Sequence, residues 1–214
     1  MSEVSDNDVL LLLEGGEGEY EEKKSRFIAT IRPVSSEEEA TSFIAEMKKK
    51  YWDARHNCSA FIIGNRGELT RCSDDGEPSG TAGRPMLEVL NGSGIKNIAV
   101  VVTRYFGGTL LGTGGLVRAY TQAVKAGLEN CVTGILSEGQ LLEVIADYSD
   151  VDKILYALKQ KSITPEKTDY AADVTMILKI RVELVEDIEK ELTTVTAARC
   201  LITRGDKSDI LVRI

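Results

Sequence analysis

Ile98-Ala99-Val100-Val101-Val102-Thr103-Arg104-Tyr105-Phe106-Gly107-Gly108-Thr109-Leu110-Leu111-Gly112-Thr113-Gly114-Gly115-Leu116-Val117-Arg118-Ala119-Tyr120 is the stretch around which this 214-residue chain is organised. Ile98 to Val102 is an apolar, β-branched run, the pattern of a buried strand. Leu116, Ala119, Tyr120, Ala123, Val124 and Leu128 then recur at helical spacing. Between strand and helix stand five glycines in nine positions, Gly107, Gly108, Gly112, Gly114 and Gly115. Glycine costs roughly 0.5–1 kcal/mol relative to alanine in regular elements, so such a density implies positive φ or a close approach. A glycine loop feeding a helix also presents free amides at the positive end of the helix dipole. Arg104 enters the loop and Arg118 follows it by about one helical turn. Two readings stay open: an anion-binding loop, and a tight turn whose glycines only permit packing. No Gly-Lys-Ser/Thr follows, so this is not a Walker loop, and the dinucleotide-binding spacing is also absent.

Working outward, composition sets the class. A chain that is 43% hydrophobic and 28% charged is globular. It has no apolar run of membrane-spanning length. Val9 to Leu13 is too short for a signal-peptide core and follows acids rather than bases, so a cytoplasmic protein with no membrane partner is expected. Cys58, Cys72, Cys131 and Cys200 form no C-x-x-C pair, which predicts reduced, mostly core thiols rather than zinc or disulfides. The net charge of −8 is unevenly spread. Residues 1–22 carry eight acids and no base, whereas residues 23–136 carry a balance of +4. Salt screens exposed charges over about 8 Å, so a local basic face remains compatible with the acidic total.

Residues 1–18 read as an acidic mobile tail. Tyr20 to Val34 reads as a strand whose start, Lys23-Lys24-Ser25-Arg26, is either a solvated end or a phosphate-facing edge. Ser36 and Glu39 have capping-box spacing before a helix that buries Ala40, Phe43, Ile44 and Met47. Tyr51 to Ile63 is a loop entering a strand and contains the only histidine, His56, either a structural group or an acid–base candidate. Gly64-Asn65-Arg66-Gly67 predicts a hairpin turn. In Ser73-Asp74-Asp75-Gly76-Glu77-Pro78-Ser79-Gly80-Thr81-Ala82-Gly83-Arg84-Pro85 the acids either bond backbone amides and cap the next helix or hold a divalent cation. A short apolar helix follows around Met86 to Leu90.

A junction begins at Thr133-Gly134, giving expected domains at 19–134 and 137–214. The second has β-α-β-β-α-β order, with strand-like pieces at Leu201-Ile202 and Ile210–Ile214 around a Gly205-Asp206 turn. That order suggests a ferredoxin-like α+β domain.

Asp53-Ala54-Arg55-His56-Asn57-Cys58, Ser73 through Gly83, and Val102 through Tyr120 occur in this order across about residues 20–130, and together resemble the Impact family, including its bacterial YigZ-type members. Residues 137–214 are similar to the small C-terminal domain of those bacterial members, which looks like a domain of elongation factor G. The resemblance implies an α+β chain whose N-terminal domain has the split β-α-β fold of ribosomal proteins and elongation factor G. It also implies a role connected with translation or nucleic acid. Eukaryotic members act through a protein partner and an extra N-terminal domain, which here has only a short acidic tail in its place. The family supplies no settled catalytic residues, and none is assigned.

The leading reading is a non-enzymatic RNA- or ribosome-binding protein involved in regulating translation, with no cofactor. Arg104, Arg118 and Arg84, with amides of Gly107, Gly108, Gly112, Gly114 and Gly115, would contact phosphates. Arg55, His56, Lys24 and Arg26 would extend the patch. Tyr105 and Phe106 are either stacking residues or core. The competing readings are an enzyme on a small phosphorylated substrate, with His56 as acid or base and Asp74, Asp75 or Glu77 on a metal, and an adaptor for a protein partner.

Overall fold

The computed structural model describes residues 8–213. The chain divides at Ile135/Leu136 into two compact units, residues 9–135 with Arg213, and Asp8 with residues 136–212.

In the first unit the elements are β1 (Val9–Glu14), β2 (Glu17–Glu22), β3 (Ser25–Pro33), α1 (Glu37–Lys50), β4 (His56–Ile63), β5 (Leu69–Ser73), α2 (Gly83–Ser93), β6 (Ile98–Tyr105) and α3 (Gly112–Leu128). The sheet order is β2-β3-β6-β4-β5. Both β3 and β4 run antiparallel to β6. They are therefore parallel to each other with β6 inserted between them, so β3-α1-β4 is a split β-α-β unit. Alternation of side chains explains the apolar run of β6. Ile98, Val100 and Val102 face a cluster with Met86 and Leu90 of α2 and Leu116, Tyr120 and Val124 of α3. Ala99 and Val101 face Phe43 and Met47 of α1. A strand covered on both faces has no polar alternation to display.

Local chemistry sets the boundaries. Ser36 caps α1 by accepting from the Glu39 amide at 3.2 Å, while Glu39 accepts in return from the Ser35 amide at 2.6 Å. Gly94, at φ 74°, ends α2 in the left-handed conformation. At Gly18 on β2, a Cβ would lie 2.2 Å from the Gly127 nitrogen of α3, so a glycine is needed where strand meets helix.

Two expectations for this unit need correction. Residues 9–14 of the acidic stretch are a strand, with Leu12 buried in the core; residues 1–7 lie outside the described residues. The leucines outweigh the flanking acids by reaching the same apolar cluster. Tyr20–Val34 is also not one strand. The chain reverses at Lys23 (φ 47°) and Lys24 (φ 64°), pairing β2 with β3 in a hairpin. Two lysines at positive φ carry no Asn-Gly signal, which is why the turn was hidden.

The second unit contains β7 (Val132–Ala146, shared with the first unit), α4 (Tyr148–Gln160), β8 (Lys167–Tyr170), β9 (Val174–Arg181), α5 (Val185–Val195) and β10 (Leu201–Arg213). Its sheet runs β8-β9-β7, with β10 also paired to β7. This is the ferredoxin-like arrangement. Ile154 and Leu158 of α4 and Ile188 and Leu192 of α5 pack on Leu142, Val144, Met176 and Leu178. Buried Asp150 receives two bonds from Arg199 and one from Lys153. Thr133-Gly134 lies inside β7, beside the division at Ile135/Leu136. One boundary differs from expectation. Gly205-Asp206 lies inside the single strand β10, because Gly205 keeps a negative or extended φ and its carbonyl accepts from Gln140 Nε2 at 2.5 Å. Among the described residues no helix is long and apolar enough to cross a membrane.

Candidate functional site

The acids of the 73–85 stretch are each engaged by protein groups. Asp74 accepts from the amides of Gly80 (2.8 Å), Ala82 (3.0 Å) and Gly83 (2.8 Å). The α2 N-cap, Ala82, has no side-chain acceptor, so Asp74 satisfies that helix start from outside it. Burial works to raise the Asp74 pKa, but the three amide bonds together outweigh it and lower the value. Asp75 sits at φ 43°, accepts from the Asn57 amide at 2.7 Å and pairs with Lys48.

Glu77 is buried at the centre of the network. Its Oε1 accepts from Arg104 Nη1 at 2.6 Å and from the Tyr120 hydroxyl at 2.8 Å. Cys58 Sγ lies 3.2 Å from the Tyr120 hydroxyl oxygen and 2.9 Å from the Asp74 carbonyl. Burial, chiefly, pushes the Cys58 thiol up to about 12, which keeps it protonated rather than nucleophilic. Thr103 donates to Asn57 Oδ1 at 2.7 Å. These bonds tie the 53–58, 73–83 and 102–120 segments into one cluster. Among the described residues, no group of three His, Cys, Asp or Glu side chains has metal-binding geometry.

Beside this cluster lies a cavity of about 580 Å³, lined by Asp53, Ala54, Arg55, His56, Arg104, Tyr105, Phe106 and Leu110. His56 Nδ1 is 2.9 Å from the Asp75 carbonyl. A carbonyl only accepts, so Nδ1 carries a proton toward it and Nε2 takes no part in that bond. Arg104 is 7% exposed, and its guanidinium carbon lies 5.4 Å from the Phe27 ring centroid and 5.7 Å from that of Phe106. Its Nε is buried without a partner among the described residues, a condition that costs about 1–3 kcal/mol. Tyr105 donates to Asp53 at 2.8 Å. Phe106 and Leu110 remain 53% and 83% exposed at the rim.

Of the sequence-stretch candidates, the cavity brings together Arg55, His56 and Arg104. Arg104 is paired with Glu77 and only 7% exposed, so it meets the outside only through the cavity wall and not as a freely exposed cation. Gly107 is committed to packing: its amide donates to Ser25 Oγ at 3.1 Å, and a Cβ would meet the Lys24 carbonyl carbon at 2.0 Å. Gly108 and Gly112 adopt φ 88° and 69° with open space around them. Gly114 is exposed and Gly115 is buried against Leu111. Leu111 gives α3 no side-chain cap, so the first-turn amides of that helix lack one. The exposed cations sort by pairing. Arg26 pairs with Glu19, and Arg84 pairs with Glu88 outside the cavity lining. Among the described residues, exposed Lys24, Arg55 and Arg118 form no ion pair. Lys24 abuts Gly107, Arg55 lines the cavity with Phe106, and Arg118 Nη1 lies 3.7 Å from the Cβ position of Gly114. Sequence reasoning missed Asp53 and Leu110 on the cavity lining. Only the exposure of its large apolar side chain distinguishes Leu110, and the sequence does not display it.

The Impact N-terminal domain model matches residues 23–128, the span holding the three segments of the cluster. Over 193 residues, 90% of this chain and 89% of the relative, the sequence is 39% identical to the IMPACT family member YvyE of Bacillus subtilis. The chain belongs to the IMPACT family. It is also 47% identical over 113 residues to the family member YigZ of Escherichia coli, covering 52% of this chain and 55% of that one. A second family model, described as a domain of unknown function, matches residues 144–199. A crystal structure of a hypothetical protein superimposes with a TM-score of 0.59 at 33% identity, covering 94% of this IMPACT chain and 99% of the other.

Proposed function

We propose that this IMPACT-family chain binds RNA or the ribosome through the rim of the first unit's cavity, and acts as a non-enzymatic regulator of translation. The observation that carries the reading is the exposed Phe106 ring beside the Arg104 guanidinium and Arg55. An unstacked base lies on such a ring, while unpaired cations take the flanking phosphates. Lys24, Arg55 and Arg118 stand along the 106–114 loop for that task. The family resemblance supports translation as the setting. A face of this size also works despite the chain's −8 charge, because screening confines each acid to its neighbourhood.

Co-sedimentation of the full chain with ribosomes at two salt concentrations tests the reading. Each phosphate contact to a single strand contributes a slope of about −0.7 in log affinity against log salt. Arg55→Ala lowers that slope by about one contact, and Phe106→Ala weakens binding about tenfold with the slope kept. Folded variants that sediment like the parent at both salts refute the proposal. Binding that is equal at both salts identifies a protein-partner adaptor instead.

A further inference from the structure

In its lining the cavity mixes apolar Phe106, Leu110 and Ala54 with the cationic and polar groups Arg55, Arg104 and His56, while its one carboxylate, Asp53, accepts from the Tyr105 hydroxyl. At about 580 Å³ it falls in the range that holds small-molecule ligands. Arg104 is already oriented by its bond to Glu77 and lines the cavity together with Arg55, which forms no ion pair among the described residues. Two guanidiniums on one lining suit a terminal phosphate better than a bridging one, since a terminal phosphate offers three acceptor oxygens. His56 turns Nδ1 to the Asp75 carbonyl and lines the same space, where its other ring nitrogen suits a ribose hydroxyl as either donor or acceptor. The Phe106 ring offers a flat apolar surface for a base.

We propose that the cavity binds a nucleoside 5′-monophosphate, either free or as the 5′ end of an RNA strand. Phosphate meets Arg55 and Arg104, the ribose meets His56, and the base stacks on Phe106. The proposal rests on the RNA-binding reading of this rim and narrows it to one nucleotide and one terminal group.

The test is calorimetric titration of the full chain with the four nucleoside 5′-monophosphates, the four nucleosides and inorganic phosphate. Arg55→Ala and Phe106→Ala are titrated alongside, both being exposed positions whose loss leaves the core intact. At least one monophosphate is expected to bind about tenfold or more tightly than its nucleoside, and to lose about tenfold in each variant. Inorganic phosphate is expected to bind weakly and to be indifferent to Phe106→Ala. Displacement by a 5′-phosphorylated but not a 5′-hydroxyl oligonucleotide assigns the site to RNA ends; displacement by neither assigns it to the free nucleotide. No saturable binding of any monophosphate, equal binding of nucleoside and nucleotide, or variants that bind like the parent would overturn the proposal. Ribosome sedimentation that survives such a result leaves the broader reading standing. Nucleotide binding without ribosome sedimentation refutes the broader reading alone.

Discussion

Glu77→Gln probes the ion pair at the centre of the first unit. Glu77 and Arg104 side chains are 3% and 8% exposed and meet at 2.6 Å, so water cannot replace a lost partner. Glutamine keeps the shape and one acceptor oxygen but removes the charge, leaving a buried guanidinium uncompensated. Removing one partner of a buried pair costs about 3–5 kcal/mol. Here the retained amide oxygen and the rings of Phe27 and Phe106 soften the loss, which places it at the lower end, about 3 kcal/mol. At a factor of ten per 1.4 kcal/mol, amide exchange through global opening of this unit accelerates by about a hundredfold. Native-state hydrogen exchange of the β6 amides is the suitable assay, because a chain of two units does not guarantee a single unfolding transition. Tyr120→Phe removes one hydroxyl bond to the same oxygen and should cost only about 1 kcal/mol. If Glu77→Gln accelerates exchange no more than Tyr120→Phe, Arg104 is not held as a buried charge and this account of the cluster fails.

Two further outcomes follow from the titrating groups. Hydrogen bonds from Arg199 and then Lys153 depress the Asp150 pKa to about 2. A depressed carboxyl stabilises the fold above its unfolded pKa of about 3.9 and loses that contribution as pH falls toward 2. Asp150→Asn should therefore destabilise the second unit at pH 7, with the gap from the parent closing in strong acid; a gap constant across that range contradicts the assignment. Cys72 is exposed while Cys58 is buried with its thiol held protonated. Iodoacetamide with peptide mapping should modify Cys72 in the folded chain and Cys58 only after denaturation, and equal rates would refute the burial argument.

How far the sequence disclosed this structure depended on whether a feature was periodic or relational. The β6 run, the α3 spacing and the Ser36 cap were legible because each is written in neighbouring residues. The Lys23-Lys24 turn was not, since its positive φ values are imposed by the pairing of β2 with β3 rather than by turn-favouring residues. Gly205-Asp206 failed in the opposite direction: a local turn signal was overridden by pairing along β10. At the candidate site the motifs announced themselves, but their partners did not. Nothing in residues 104 and 77 alone indicates that they meet, so Arg104 read as a phosphate-contacting cation and Glu77 as either a loop acid bonding backbone amides or a metal ligand. Tyr120 read as an ordinary helix core position, yet its hydroxyl links Cys58 to Glu77. Conversely, Phe106 by its residue type suited the core better than a stacking surface, and only the path of the 106–111 loop leaves it 53% exposed.

The central claim is that RNA meets this chain at the cavity rim. Ultraviolet cross-linking of the full chain to bound ribosomes, followed by mass-spectrometric mapping, tests it most directly. The account predicts RNA adducts on the peptides carrying Arg55 and Phe106. Adducts confined to residues 136–212, or absent from the 52–56 and 104–118 segments while ribosomes are bound, would contradict it.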